Sequence, residues 1–193
     1  MTHIESVTLE TPEPETLAAF TRAVAPDLPI RVRTGDAPTS GFRGFTLSLV
    51  VPQPSDVDAV IDTALHAGGT PVQPPRKSLW GYGGSVSGPD GSIWTVASSG
   101  KKDRQFVLQI GVSDVAASKA FYVDRGLPVA KSFGRKYVQF ANGDSPITLA
   151  LLKRRALAKN ARVSPDGDGA HRIVINSPAG DFTDPDGFVW AAA

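Results

Sequence analysis

Few residues in this chain are of types that carry chemistry unaided, and they lie far apart. Histidine occurs at positions 3, 66 and 171. His171 stands in an alternating, strand-like run, "AHRIVINS", where it could serve as a pocket acid or base or as a single metal ligand. The plainer reading is a hydrogen-bonded structural imidazole. His66 falls in the last turn of a helix-patterned segment, where a cation suits the helix dipole. Asp90 and Asp186 occupy matching Pro-Asp-Gly triplets and can be read as paired catalytic carboxylates. The triplet is better explained as a turn: Pro fixes φ, Asp accepts from nearby backbone and Gly admits a positive φ. It recurs a third time at Pro165. Trp80 and Tyr82 stand among glycines in "SLWGYGG", a segment with no need of them for a core, so they are candidates for an aromatic lip over a planar ligand. Trp94 and Trp190 are candidates for the core or for a ligand-facing wall. Tyr137 and Arg135 form a further candidate pair. Arg31 and Arg33 share one side of a short strand, facing water or an anionic ligand.

Absences narrow the chemistry. The chain has no cysteine, which removes disulfides, thiolate metal sites and thiol nucleophiles. No Gly-x-Ser-x-Gly, P-loop, Rossmann fingerprint or His-Glu helix motif occurs. Twenty Lys and Arg against 19 Asp and Glu leave a formal charge of +1, too little to gather nucleic acid. The basic cluster "LLKRRALAKNAR", 151–162, could contact phosphate but reads as a solvated surface segment. The amino-terminal residues do not follow a secretory-signal pattern, and no apolar run reaches the roughly 18 residues that would cross a bilayer. The expectation is a soluble, cytoplasmic protein without nucleic-acid or membrane partners.

The elements that must position these residues come in two similar halves. "SGPDGSIWTVASS" and "FTDPDGFVWAAA" share Pro-Asp-Gly, two residues and Trp, which places Trp94 and Trp190 96 positions apart. "SVTLETPEPETLAAFTRAV" and "VLQIGVSDVAASKAFYVDRG" both read strand, turn, helix, with Phe20 matched to Phe121. Together these spacings predict a tandem duplication of about a hundred residues.

Inside the duplication, "FTLSLVV" is strand-like, and Val57, Val60, Ile61, Ala64 and Leu65 recur at helical spacing behind a capping pair, Ser55 and Asp58. "TPVQPP", "GYGGSVSG" and "SIWTVAS" complete a β-α-β-β-β unit. "FVLQIGV", a helix capped by Ser113 or Asp114, "VAKSF", "KYVQFAN" and "ITLALL" form a second. The predicted fold class is α+β, with two full βαβββ units and a reduced unit at each end. The first copy spans 1–100 (reduced unit 1–43, full unit 44–99). The second spans 101–193 (full unit 105–152, reduced unit 170–193).

These units, the "GVSDVAASKAFY" and "VDAVIDTALHAGG" helices and the doubled PDGxxW strand together resemble the vicinal oxygen chelate superfamily. Its members include glyoxalases, extradiol dioxygenases, fosfomycin-modifying enzymes and bleomycin-resistance proteins that only bind a drug. The resemblance implies paired units curled into a cup, and in the enzymes a divalent metal held by His or Gln on early strands and Glu on late ones. At the matching positions this chain has Ser6, Thr46 and Val107 early, and Thr95 and Ala191 late; only His171 is of a ligand type.

The expected function is therefore metal-free binding of a small molecule by Trp80, Tyr82, Trp94, Tyr137, His171 and Trp190, with no cofactor. The alternatives are a metal-dependent lyase, isomerase or dioxygenase acting around His171, and a structural or regulatory module whose cup is filled by its own side chains. The two full units could face each other within one chain, or each reduced unit could be completed by a second chain in a homodimer.

Overall fold

A computed structural model describes residues 2–78 and 81–193. The chain begins with β1 (Ser6–Thr11), α1 (Pro14–Val24), β2 (Ile30–Thr34) and β3 (Thr39–Gly41). The first full unit follows as β4 (Phe45–Val51), α2 (Pro54–His66), β5 (Thr70–Ser78), β6 (Gly81–Ser87) and β7 (Ile93–Ser98). The second is β8 (Gln105–Val112), α3 (Val115–Asp124), β9 (Val129–Phe133), β10 (Tyr137–Phe140) and β11 (Ile147–Lys153). After it come α4 (Arg154–Ala161), β12 (Gly167–Gly169), β13 (Ile173–Asn176), β14 (Phe182–Thr183) and β15 (Val189–Ala191). Both full units have the predicted order. Among the described residues no helix is long and apolar enough to cross a membrane.

The full units join edge to edge in an eight-stranded sheet of order β5-β6-β7-β4-β8-β11-β10-β9. In each unit the helix returns the chain so that the last strand can lie parallel to the first, β7 beside β4 and β11 beside β8. The two first strands then meet antiparallel, with Thr46 opposite Gln109.

The reduced units repeat this arrangement at half size, in a sheet of order β14-β15-β13-β1-β2. Here too the first strands pair antiparallel, Val7 opposite Ile175, and each keeps a parallel neighbour, β2 or β15. The ends of the chain thus complete each other within one molecule. Each sheet takes one unit from either half of the sequence, so the two copies are interleaved.

Strand alternation divides the large sheet into two faces. Phe45, Leu47, Leu49, Trp94, Val96, Leu108, Ile110 and Leu149 enter one core with Leu17 and Phe20 of α1, Val57 and Ile61 of α2, Tyr122 of α3 and the small sheet's Val7, Leu9, Ile173 and Ile175. The face turned away from helices α1–α3, called here the cup face, carries the other set.

Local signals set the helix starts. Asp114 caps α3, accepting from the Ala116 and Ala117 N–H groups at 2.8 and 3.2 Å. Those bonds hold its carboxyl below the usual range. At α2 the predicted pair Ser55 and Asp58 is displaced by two residues: Pro54 opens the helix, and Asp56 reaches back to the Gln53 N–H at 3.1 Å.

The two tryptophans anchor matching junctions. Trp94 is 0 % exposed and meets Phe20 edge-on at 5.6 Å; Trp190 is 1 % exposed and lies 5.3 Å from Tyr122. The counterpart of Phe20 is therefore Tyr122 and not Phe121, which packs against Phe182 with Arg125 over its ring. Each indole N–H ends on a buried carboxylate through a hydroxyl. Trp94 donates to Ser92, which donates to Asp90; Trp190 donates to Tyr122, which donates to Asp184 at 2.5 Å.

Burial raises the Asp184 carboxyl above its ordinary range, and burial followed by the Asp184 charge raises the Tyr122 phenol well above 10.0. Each group holds its proton more tightly folded than unfolded. Its stabilising contribution is full below the ordinary value and is lost as pH climbs through the raised one. Melting temperature is accordingly expected to fall above about pH 10, the ordinary tyrosine value. Tyr122→Phe should blunt that fall; an identical alkaline profile in the variant would refute the assignment.

The basic segment differs from expectation. Residues 154–161 form α4, whose Leu157, Ala158 and Ala161 are buried against Phe42, Ile93 and Leu152 in a second cluster on the cup face. Gly111 of β8 lies directly beneath it: a Cβ there would stand 2.9 Å from Arg154 Cα and 3.1 Å from the Gly44 carbonyl oxygen. Gly111→Val is expected to cost about 1–3 kcal/mol through overpacking, read as a lower urea midpoint. An unchanged midpoint would mean that α4 does not sit on β8.

Candidate functional site

The cup face is half filled. α4 is pinned at its start by Arg154, whose Nε donates to the Pro165 carbonyl at 2.9 Å and whose Nη2 donates to the Phe42 carbonyl. Its end is held by the Ser85 hydroxyl, which donates to the Ala161 carbonyl at 3.1 Å. Beside it, over β5, β6 and β7, a cavity of about 550 Å³ remains. Its floor carries Ser85, Thr95, Ala97 and Gln109, and its sides carry Arg76, Lys159 and Arg162.

The residues expected to bind a ligand do not converge there. Tyr82 contributes to the cavity wall, but its hydroxyl reaches Asp58 of α2 at 2.6 Å, so its side chain belongs to the opposite face. Tyr137 lies on the cup face, packed against the cluster under α4 and donating to Gln139 at 3.0 Å. Trp94 and Trp190 are core residues, which removes both as cup wall.

His171 lies outside the cavity. Its ring stacks on Phe188 at 3.8 Å, with Nδ1 2.6 Å from the Arg43 carbonyl and Nε2 3.0 Å from the Asp186 carbonyl. Two carbonyl partners leave neither ring nitrogen open to a metal or a substrate proton, so the structural reading of this histidine replaces the catalytic one. Trp80 lies outside the described residues.

Asp90 and Asp186 sit in turns with Gly91 and Gly187 at φ 83° and 90°. Asp186 accepts from the Ser113 N–H and the Ser118 hydroxyl, and Asp90 pairs with Arg43. Both carboxylates are structural. Arg33 pairs with Glu10 on the small sheet, and Arg31 is exposed.

The cavity residues missed in the sequence are Arg76, Thr95, Gln109, Lys159 and Arg162 as a group. The basic cluster was the available signal for two of them. Reading it as solvated surface overlooked that three apolar residues on one side suffice to seat a short helix.

The resemblance read from the sequence implies a divalent metal on the cup face, and the residues there do not suit one. The polar inward positions on β4, β7, β8 and β11 include Thr46, Ser48, Thr95, Gln109 and Thr148, beside apolar ones such as Val107. Thr46 donates to Gln109 Oε1 at 3.1 Å, which occupies the one amide oxygen among them. Neutral hydroxyls are poor substitutes for the imidazole and carboxylate donors such an ion takes. Among the described residues no group of three or more His, Asp or Glu side chains is placed to hold an ion.

No protein-family profile matches the sequence, and no curated protein matches it. Solved structures do match. Glyoxalase I from Zea mays aligns with a TM-score of 0.65 at 13% identity, over 98% of this chain and 91% of that one. A glyoxalase/bleomycin resistance protein/dioxygenase family enzyme from Burkholderia phytofirmans PsJN aligns over 50% of this chain and 98% of its own, at 18% identity and a TM-score of 0.45. The chain thus has the fold of glyoxalase I. Near-complete coverage of a glyoxalase I accords with tandem βαβββ units running the length of the chain.

Proposed function

We propose that the chain binds a small molecule in the open half of its cup without a divalent metal. The observation that carries this reading is the cavity of about 550 Å³ on the face where the fold's enzymes bind substrate, floored by hydroxyl, methyl and amide groups. That volume lies within the usual range of small-molecule sites, about 300–1,000 Å³. Burial against the strand backbone would supply affinity, and Thr95 and Gln109 would orient the ligand.

A second reading is favoured by α4. A helix seated on the cup face makes a structural or regulatory module with a filled cup a real competitor.

Two measurements test the proposal. Elemental analysis of untagged protein, followed by challenge with nickel, zinc, manganese and iron(II), is expected to give no stoichiometric metal and no shift in melting temperature. Near-stoichiometric metal would reinstate a metal-dependent lyase, isomerase or dioxygenase. Thermal-shift titration with small molecules is expected to give saturable stabilisation that Ala97→Trp, which projects into the cavity, abolishes. No stabilisation by any compound would favour the filled cup.

A further inference from the structure

We propose that the ligand of this cavity is a planar organic anion, a deepening that rests on the small-molecule reading above. The charge of the site is one-sided. Arg76 comes from β5, Lys159 from α4 and Arg162 from the residue that ends α4, and none of the described lining residues is acidic. Over the whole chain the two signs are nearly equal, 20 against 19, so three cations with no acid is a local departure. None of the three is in an ion pair among the described residues, where the pairs are Arg33–Glu10 and Arg43–Asp90.

Arg162 adds a backbone observation. It ends α4 at φ 63° and ψ 37°, a left-handed position that helices ordinarily give to Gly or Asn because a larger side chain is strained there. Strain of this kind persists where the surroundings or the function hold it. Its effect is to set a guanidinium on the cavity beside Lys159.

The uncharged groups also present donors. Gln109 lines the cavity and its Oε1 already accepts from Thr46, so what its amide has left to offer a ligand is chiefly N–H donors. The Thr95 hydroxyl is free to turn its proton inward. A ligand rich in acceptor oxygens satisfies both.

Shape supplies the planar body. On the cup face β6 offers Gly81 and Gly83, and Gly83 pairs directly with Ala97 of β7. Nothing larger than a methyl rises from this strip. A flat conjugated or aromatic body can lie against the strand backbone while its carboxylate or phosphate reaches the cations.

Isothermal titration calorimetry with 2-naphthoate and its neutral isostere 2-naphthamide tests the inference. Naphthoate is expected to bind at least about tenfold more tightly at 20 mM salt, with most of that advantage lost at 0.5 M as exposed charges are screened. The R76Q/K159Q/R162Q variant should bind the two probes alike while melting like the parent. Should that variant fold poorly, the salt series on the unmodified protein decides alone. Naphthamide binding as tightly as naphthoate at low salt would overturn the anion and leave the binding site standing. Failure of both probes to bind would overturn the anion inference and count against the binding-site reading as well. Binding of either that survives Ala97→Trp would place the probe outside the cavity and overturn the inference.

Discussion

Trp190→Ala is expected to lower the unfolding free energy by about 3–5 kcal/mol, the usual cost of deleting a fully buried large aromatic side chain. The indole is stacked on Phe182 at 5.1 Å and 15° and lies against Tyr122, so the vacancy opens between the small sheet and α3. The deletion also removes the N–H that Tyr122 accepts. A domain of this size is stable by about 5–15 kcal/mol in total, so the variant should populate unfolded chain well below the parent's melting temperature. Chemical denaturation monitored by far-UV circular dichroism measures the loss. Trp94→Ala, at the matching junction with Phe20, should fall in the same range. A cost below about 1 kcal/mol, the scale of an ordinary surface substitution, would mean that Trp190 is not the anchor its burial indicates.

The second large effect belongs to the Arg43–Asp90 pair. Their side chains are 3 % and 0 % exposed, with Nη2 2.6 Å from Oδ2. Two further buried guanidinium nitrogens, Nε and Nη1, have no partner among the described residues. Removing the carboxylate leaves a cation that is neither hydrated nor neutralised, so Asp90→Ala is expected to cost about 3–5 kcal/mol. Replacing both, as Arg43→Met with Asp90→Ala, should cost less than the single change, because no charge is then stranded. Glu10→Gln breaks the exposed Arg33 pair, 57 % and 23 % exposed, and should change stability by about 1 kcal/mol or less. A double-mutant cycle in urea reads all of these. A double variant less stable than Asp90→Ala would show that the methionine fails to fill the arginine's space and that packing outweighs charge here.

Which features were legible depended on how far each signal reached along the chain. The Pro-Asp-Gly turn followed by Trp is a local pattern with a local cause, and the structure has it twice, in the predicted strands. The α2 stripe of Val57, Ile61 and Ala64 was equally plain, since a helix face is written at fixed short spacing. The α4 segment was obscured because half of its side chains are polar or charged; Leu157, Ala158 and Ala161 decide its place, and two of their partners, Phe42 and Ile93, lie far away in the sequence. His171 was chosen by residue type. Its role follows from two backbone carbonyls, one of them from residue 43, which a reading of "AHRIVINS" does not contain. The cavity cations were scattered over β5 and α4, so nothing in the linear order announced that Arg76 and Arg162 share a space.

The nested pairing of the units also bears on the order in which the chain can fold. The large sheet joins neighbours in sequence: β4 and β8 belong to consecutive units. The small sheet joins Ser6 to Asn176, the two sides of nearly the whole polypeptide. Closing a loop that long carries an entropy cost which grows with the logarithm of its length, and topologies dominated by such contacts fold slowly. If the large sheet forms first, with α1 and α3 folded against it, most of that loop is already compact and its two ends are brought close together before β1 meets β13. The expected sequence is a middle that assembles early and ends that zip last. Pulsed hydrogen exchange during refolding would register this as late protection of the Glu10 amide, which donates to the Arg172 carbonyl, and of the Thr8 amide, two residues along the same side of β1, relative to the amides of β4 and β8.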